Sequence, residues 1–307
     1  MKAAFFRKFG PPEVLEYGEL PDPVPAAGEV LIDIHATTVN AADWKMRAGQ
    51  YPAKIEFPHV PGRDFSGVVS RLGQGAGDFK VGDAVFGVCE VPREGAYAEK
   101  IAIRQEIVAR KADKLSHAQA AAVALAGLTA LVSIEDTLKL KSGETILIQG
   151  GAGGVAGFAI ALAKHIGARV ITTASAANHD YVKKLGADQV IDYRKDDFTK
   201  IVSNCDAVFD TVGGDVTAKS FSVLKSGGRL ASVAAGGTPP PSPRADLISL
   251  RPRVDRDRPH LDRISELVTR GIVPVPEMVE YPLAEVVAAH RVSEARHLRG
   301  KLILKVR

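Results

Sequence analysis

A strand, a glycine-rich turn and a helix follow one another in ILIQGGAGGVAGFAIALAK (146–164). Gly151, Gly153 and Ala156 have the G-x-G-x-x-G/A spacing of a dinucleotide-binding turn. In such a turn the first glycine permits the tight bend and the second lets the backbone approach a pyrophosphate, while the small third residue lets the helix pack closely. The N–H groups at the start of the helix favour an anion. The pattern therefore predicts a nucleotide cofactor.

The residues after the second strand indicate which nucleotide. A unit that binds NAD places an Asp or Glu about 20 residues after the turn, whereas this chain has TTASAAN (172–178) there. No carboxylate repels a 2′-phosphate, and Ser175 can donate a hydrogen bond to it. Tyr193 and Arg194, after the third strand, could supply further donors, although Tyr193 could instead be a half-buried packing residue. We therefore expect NADPH rather than NADH.

Strands and helices alternate from residue 145 to residue 233, which predicts a doubly wound parallel sheet and an α/β fold. The predicted strands are TILIQ (145–149), RVITT (169–173), VI (190–191), DAVFD (206–210) and RLASV (229–233). Helices are predicted at about 153–166, 178–186, 196–203 and 216–225. The position of GGAGG inside this alternation argues against the alternative that it is only a flexible turn.

The chain before residue 115 has a different texture. Short β-branched strands bounded by Gly, Pro or Asp predict a β-rich barrel or sandwich; they are VLIDIHAT (30–37), FSGVVSRLG (65–73), DAVFGV (83–88) and AEKIAI (98–103). Ser116 has the position of a helix N-cap before an Ala- and Leu-rich segment, which places a domain boundary near residue 120. Near the C-terminus a helix, PLAEVVAAHRVSEAR, and a strand, KLILKV, could fold back onto the first domain.

Composition limits the function classes. The 307 residues fit two domains, and 46% hydrophobic with 25% charged residues is typical of a soluble globular protein. We expect no apolar stretch that approaches the length needed to span a bilayer, no signal peptide and a cytoplasmic location. Cys89 and Cys205 are expected to be buried thiols. A net charge of +4 is spread along the chain, and RPRVDRDRPHLDR (251–263) alternates in sign, so we interpret it as a solvated or subunit-facing edge and disfavour nucleic-acid binding.

Three stretches resemble one family over nearly the whole chain: PGRDFSGVV (61–69), NAADWKMRAGQY (40–51) and LAGLTAL with the glycine turn (125–164). They are similar to the medium-chain dehydrogenase/reductase superfamily, in its zinc-free quinone oxidoreductase and enone reductase branch. The resemblance implies a GroES-like substrate domain, residues 1–122 and 272–307, around a Rossmann NADPH-binding domain, residues 123–271. It also implies an active site in the cleft between the domains and a homodimer.

The resemblance also bears on metal chemistry. The zinc-dependent branch carries G-H-E where this chain has Gly62-Arg63-Asp64, and a ligand cysteine where this chain has Asn40. With both ligands replaced, we expect no zinc site. A carbonyl must then be polarised by hydrogen-bond donors, which favours quinones or α,β-unsaturated carbonyl compounds, since conjugation already spreads the negative charge that a hydride brings.

The family's functional residues carry over to nine positions, and Gly151 of the glycine motif and Lys45, where the chain departs from the family, complete the candidates. Asn40 and Lys45 are the catalytic candidates, and the cofactor-binding candidates are Tyr51, Thr129, Gly151, Gly153, Gly154, Val155, Ser175, Tyr193 and Arg296. The chain departs from quinone reductases at Ala41, where they have proline, and at Trp44-Lys45, which resembles the enone reductases. Lys45 could bind the cofactor, stabilise an enolate oxygen or simply be exposed. Arg296 could equally be a solvated helix residue.

One alternative function stays open at this point. The chain could bind NADPH as a structural or sensing protein with little turnover, because no side chain of the expected cleft is an unmistakable general acid or base.

Overall fold

A computed structural model describes residues 1–51, 53–234 and 238–307. The strands are β1 (Lys2–Phe6), β2 (Leu15–Glu19), β3 (Glu29–Val39), β4 (Asp64–Leu72), β5 (Ala84–Val88), β6 (Lys100–Arg104), β7 (Val108–Arg110), β8 (Thr145–Gln149), β9 (Arg169–Ala174), β10 (Gln189–Asp192), β11 (Cys205–Asp210), β12 (Leu224–Ser232), β13 (Ile248–Leu250), β14 (Met278–Pro282) and β15 (Lys301–Lys305). The α-helices are α1 (Ala41–Arg47), α2 (His117–Leu131), α3 (Gly154–Ile166), α4 (His179–Lys184), α5 (Asp215–Ser220), α6 (Arg258–Thr269) and α7 (Val286–Glu294).

The first of two compact units comprises Met1–Leu125, Arg256–Thr269 and Val275–Arg307. Its main sheet has seven strands in the order β14-β15-β3-β4-β5-β7, with β6 also paired to β3. β1 and β2 form a separate two-stranded ribbon. Buried Val, Ile and Phe side chains of β3, β4 and β5 form the core of this unit. The C-terminal strand β15 pairs antiparallel with β3, so the end of the chain returns to this sheet.

The second unit comprises Ala126–Asp255 and Arg270–Pro274. It contains a six-stranded sheet in the order β10-β9-β8-β11-β12-β13, and every pair in it is parallel. The central strand β8 reads TILIQ and is buried apart from its first residue, as expected for a strand covered on both faces. The predicted α/β class, a GroES-like domain plus a doubly wound parallel sheet, is confirmed.

Two predicted helices of the second unit are wrong in length. Instead of a helix over 196–203 there is one 3₁₀ turn, Phe198–Lys200, started by Asp197, whose carboxylate accepts a hydrogen bond from the Thr199 N–H. The helix predicted over 216–225 ends at Ser220, because the chain passes through the 3₁₀ turn Phe221–Val223 and then enters β12. In both segments a 3₁₀ turn replaces part of the predicted helix, and in the second segment β12 begins before the predicted end of the helix.

The segment 256–269 differs from its predicted placement with the nucleotide-binding domain, since it packs with the first unit. The guanidinium of Arg258 donates to the carbonyl oxygens of Val108 at 2.9 Å and Gln105 at 2.6 Å and pairs with Asp78 at 2.8 Å. This part of the basic run is thus attached to the sheet of the first unit and is not a purely solvated edge. The domain limits inferred from the sequence otherwise remain a prediction.

The long apolar helix α2 begins where the sequence predicts. Ser116 Oγ accepts from the Gln119 N–H at 3.2 Å, and Gln119 Oε1 accepts from the Ser116 N–H at 2.9 Å, which confirms the N-cap. α2 continues as a π turn, so the helical segment His117–Thr137 has 21 residues and is long and apolar enough to cross a bilayer. The expectation that no segment reaches that length is wrong, although 78% of its apolar window is buried inside the protein, as in a core helix.

Candidate functional site

In the glycine turn after β8, the glycine that makes the bend is not the one predicted. The bend itself is made by Gly150, whose φ of +77° lies in the left-handed region. Gly151 is needed for another reason: a Cβ there would lie 2.3 Å from Oγ1 of Thr172, on the neighbouring strand β9. The role of tight-bend residue therefore passes from Gly151 to Gly150, because the bend falls one residue earlier and Gly151 packs against the sheet.

Unlike Gly150 and Gly151, Gly153 is required neither by its backbone angles nor by close neighbours. Its φ of −75° and ψ of 157° suit any residue, and among the described residues a Cβ there would meet only the carbonyl oxygen of Gly150, at 3.5 Å. Gly153 is also the N-cap of α3 and offers no capping side chain. The first turn of α3, which contains Gly154 and Val155, thus begins with N–H groups that have no partner within the helix, an arrangement that favours an anion.

Ser175 and Tyr193 lie on the same edge of this sheet. β9 and β10 are paired with Ala174 opposite Asp192, so the next residues, Ser175 and Tyr193, emerge side by side at the carboxyl ends of two adjacent strands. Ser175 is largely buried and its Oγ accepts from Asn178 Nδ2 at 3.2 Å. Tyr193 is 51% exposed, which agrees with either interpretation of it, a phosphate donor or a half-buried packing residue, and the Arg194 guanidinium lies 5.9 Å from its ring.

Thr129 lies within α2 and is half-buried. Its carbonyl oxygen accepts a hydrogen bond from Ser133 Oγ at 2.6 Å. No hydrogen bond among the described residues joins Thr129 to the glycine turn, so its proposed place near the nicotinamide ribose rests on the family resemblance.

In the first unit Asn40 follows β3 and caps α1. Its backbone N–H donates to Asp43 Oδ2 at 2.7 Å, which satisfies the start of the helix. Its side-chain amide is held at both ends: Oδ1 accepts from Lys301 Nζ at 2.6 Å, and Nδ2 donates to Asp64 Oδ1 at 3.2 Å. Thr38 Oγ1 also lies within hydrogen-bond distance of both Asp64 oxygens, at 2.7 and 2.8 Å.

Lys301 and Asp64 form an ion pair inside the protein. Nζ of Lys301 lies 3.9 Å from Oδ2 of Asp64, and their side chains are 6% and 0% exposed. Burial lowers the pKa of the Lys301 ammonium, and the nearby Asp64 charge opposes that shift. Burial likewise raises the pKa of Asp64, opposed by Lys301 and by the hydrogen bonds from Thr38 and Asn40. Each charge offsets the desolvation cost of the other.

A second buried cluster surrounds Arg63. Its Nε donates to Glu94 Oε1 at 2.5 Å and lies 3.9 Å from Asp43 Oδ1. Its Nη1 donates to the Tyr51 hydroxyl at 3.2 Å, and the guanidinium stacks over the Tyr51 ring. Burial raises the pKa of Asp43 to about 7, helped by Glu94 and opposed by Arg63. Arg63, the residue before β4, therefore positions Tyr51.

Lys45 and Arg296 converge on Trp44. Their cationic groups lie 5.7 and 5.4 Å from the indole ring. Lys45 is half-buried, and its pKa is lowered first by burial and then by the charge of Arg296. Trp44 and Arg296 line a cavity of about 390 Å³ whose other walls are Gly10, Pro11, Pro12, Arg47, Ala48, Gln50 and Glu294. Lys45 is thus not a freely solvated side chain. Arg296 is exposed, but it lies past the end of α7 with a φ of +57°, so the alternative of a solvated helix residue holds for its exposure and not for the helix.

The structure brings the predicted residues together in separate sets. Lys45, Tyr51 and Arg296 form one set through Trp44 and electrostatic contact, while Asn40 belongs to the network of Lys301. The glycine turn, Ser175 and Tyr193 share one sheet edge. Sequence reasoning missed Lys301, whose only signal was a lysine at the start of an apolar strand.

The residues that replace zinc ligands do not suit zinc. Arg63 pairs with Glu94, whereas Lys301 lies beside Asp64 and Asn40, and guanidinium, amide and ammonium nitrogens are not zinc ligands. Across residues 1–51, 53–234 and 238–307 no group of three or more His, Cys, Asp or Glu side chains is arranged to hold a metal.

Two family models match the chain. The alcohol dehydrogenase GroES-like domain matches residues 26–120, and the zinc-binding dehydrogenase domain matches residues 185–304.

Among similar proteins, 2-methylene-furan-3-one reductase from Solanum lycopersicum is 37% identical over 78% of this chain and 64% of its own length. The chain thus spans less than two thirds of that relative. NADPH-dependent alkenal/one oxidoreductase, chloroplastic, from Arabidopsis thaliana is 32% identical over 99% of this chain and 79% of its own length. The structure of Escherichia coli quinone oxidoreductase complexed with NADPH superposes with a TM-score of 0.92 at 29% identity, covering 100% of both chains.

Proposed function

Because the chain belongs to the medium-chain dehydrogenase/reductase family, among its quinone and alkenal/one oxidoreductases, we propose that it uses NADPH to reduce quinones or α,β-unsaturated carbonyl compounds without zinc. The observation that carries the proposal is Gly153. Among the described residues, nothing would clash with a side chain added at this position. A ligand that approaches the backbone at the start of α3 therefore explains why the residue is glycine.

The same sheet edge favours NADPH over NADH. Ser175 and Tyr193 follow paired strand residues and could hold a 2′-phosphate with hydroxyl donors, and Arg194 adds a positive charge. No acid stands in 172–178 to accept a hydrogen bond from a 2′-hydroxyl or to repel a phosphate. NADPH when bound supplies the hydride, and a relative described as NADPH-dependent and a similar structure complexed with NADPH support this choice of coenzyme.

The donors that the first unit offers support this class of acceptor. A hydride added to the β-carbon of an enone leaves negative charge on the carbonyl oxygen, so cations and N–H donors suffice to stabilise it. Lys45 is half-buried beside Arg296, and two adjacent cations are less costly next to an anion. We assign Lys45 to the enolate oxygen or the cofactor phosphates, Asn40 to donation from its amide, and Tyr51 and Arg296 to the cofactor.

The test is a steady-state assay of the purified protein. We expect oxidation of NADPH with short enones and quinones, little with saturated ketones, and a lower kcat/KM with NADH. Dialysis against a chelator is expected to leave the rate unchanged. If no acceptor in the panel raises the rate above the background oxidation of NADPH, or if chelation abolishes turnover, the proposal is wrong.

A second candidate is a protein that binds NADPH but hardly turns it over. One observation favours it: the Asn40 amide is engaged at both ends by Lys301 and Asp64. Saturable NADPH binding in the absence of oxidation across the same panel would select it.

A further inference from the structure

Three adjacent strands deliver one internal cation to the end of β3. β15 lies on one side of β3 and β4 on the other. Lys301 opens β15, Asp64 opens β4, and Asn40 follows the last residue of β3. The three side chains meet because the register of the sheet aligns these strand ends.

The ammonium of Lys301 fixes which way the Asn40 amide faces. An ammonium can only donate hydrogen bonds, so the amide oxygen must face Lys301, and the 2.6 Å contact to Oδ1 has this arrangement. The opposite orientation would set two donor groups against each other. The amide nitrogen is therefore turned toward Asp64 and Thr38.

The same contact strengthens Asn40 as a donor. A hydrogen bond from a cation polarises the amide and makes its N–H groups better donors. One of the two amide hydrogens is directed to Asp64 Oδ1 at 3.2 Å. The other has only the longer contacts to Thr38 Oγ1 and O, at 3.3 and 3.4 Å. That weakly held hydrogen is the one Asn40 can offer to a substrate oxygen.

We propose that Lys301 is the positioning residue of the reduction site: it holds and polarises the Asn40 amide, and its charge neutralises Asp64. In the zinc-dependent branch the corresponding positions of Asn40 and Arg63 carry metal ligands, whereas here the internal positive charge beside Asn40 is an ammonium. This inference rests on the proposed reductase function, because it assigns Asn40 the donor that stabilises the developing oxyanion.

The experiment compares Lys301→Met with Lys305→Met in the full-length protein. Methionine preserves an unbranched chain without the charge. Lys305 lies on the same strand but is 57% exposed and pairs only with Glu280, at 3.6 Å. For Lys301→Met we expect kcat for an enone to fall by about ten- to a hundredfold, less than the loss of a whole oxyanion donor. The Kd of NADPH stays near the wild-type value, and Lys305→Met behaves as wild type.

A double-mutant cycle separates positioning from a merely structural role. If Lys301 acts through Asn40, adding Lys301→Met to Asn40→Ala causes little further loss of kcat. Independent, multiplying losses would overturn the proposal, as would wild-type kcat in a folded Lys301→Met protein.

Two additions keep the test decisive. Lys301→Met leaves a buried carboxylate unpaired and could fail to fold, so Lys301→Met with Asp64→Asn removes both charges; this pair must also lose kcat. The side-chain amide signal of Asn40 in a nitrogen–proton NMR spectrum of the labelled apo protein provides a readout without turnover. It should shift in Lys301→Met and not in Lys305→Met. A shift in a protein that never oxidises NADPH would reject the proposed function while keeping the contact, and an unmoved signal would reject the inference.

Discussion

Replacing Gly153 with serine should make the protein more stable and its cofactor binding weaker. The φ of −75° and ψ of 157° at Gly153 suit serine, and within the described part of the chain the new Cβ would come no closer than 3.5 Å to another atom, the carbonyl oxygen of Gly150. Serine is a better N-cap than glycine by a few tenths of a kcal/mol. Removing a glycine from the unfolded chain contributes a further ~0.4–1 kcal/mol.

The apo protein should therefore gain about 0.7–1.3 kcal/mol of unfolding free energy. The same hydroxyl would accept from the N–H groups of Val155 or Ala156, and its Cβ would occupy the open position in front of α3. The diphosphate of NADPH would then lose an N–H donor and part of the space in front of α3. We expect its Kd to rise at least about tenfold, which corresponds to about 1.4 kcal/mol.

Two measurements test whether stability rises while NADPH affinity falls: chemical denaturation of the apo protein, and fluorescence titration with NADPH. Gly77→Ser is the matched control, because a Cβ there has nothing within 4 Å and its φ is not positive; it should leave NADPH affinity unchanged. A Gly153→Ser protein that binds NADPH within about twofold of wild type would refute the assignment of this turn to the diphosphate. A protein destabilised by the change would refute the capping argument.

Three other changes probe the surroundings. Gly151→Ala should lower the free energy of unfolding by about 1–3 kcal/mol, because its Cβ would overlap Oγ1 of Thr172 at 2.3 Å; unchanged stability in denaturation would contradict this packing. Asp43 has a folded pKa raised from 3.8 to about 7, so the folded state binds the extra proton and stability falls as pH rises through this window, by at most ~1.4 kcal/mol per pH unit. Asp43→Asn should remove that slope, measured by denaturation at several pH values. His290 has the opposite sign: burial and then Arg47 lower its pKa from 6.5 to about 3, so stability is lost as pH falls below 6.5, and His290→Asn should be less sensitive to acid; an unaltered pH profile would contradict the neutral buried imidazole.

The nucleotide-binding half was predictable because its signals are local. The strand, turn and helix around Gly151 lie within about twenty residues of sequence, and their spacing reflects backbone geometry alone. The missing acid after β9 and the N-cap Ser116 are local signals of the same kind. The error at Gly150 is also local: the motif gives the spacing of the small residues, but the dihedral angles of the turn decide which glycine makes the bend.

The first unit was less predictable because its contacts join distant residues. Lys301 and Asn40 are 261 positions apart, and Arg258 reaches carbonyl oxygens about half the chain away. Nothing in a strand pattern states which strand will be its neighbour, since register depends on the whole sheet. A lysine that opens an apolar strand looks like a solvated end until the neighbouring strand supplies an amide and a carboxylate.

The tripeptide Gly62-Arg63-Asp64 shows why the resemblance cannot be interpreted residue by residue. Adjacent residues Arg63 and Asp64 belong to two different buried clusters, one with Glu94 and the other with Lys301. Restoring histidine at 63 alone would leave the carboxylates of Asp43 and Glu94 without their cation, and restoring glutamate at 64 would still face an ammonium. The identities of residues 63 and 64 are therefore tied to the charge balance of both clusters, since exchanging either residue alone leaves a buried charge in one cluster without its partner.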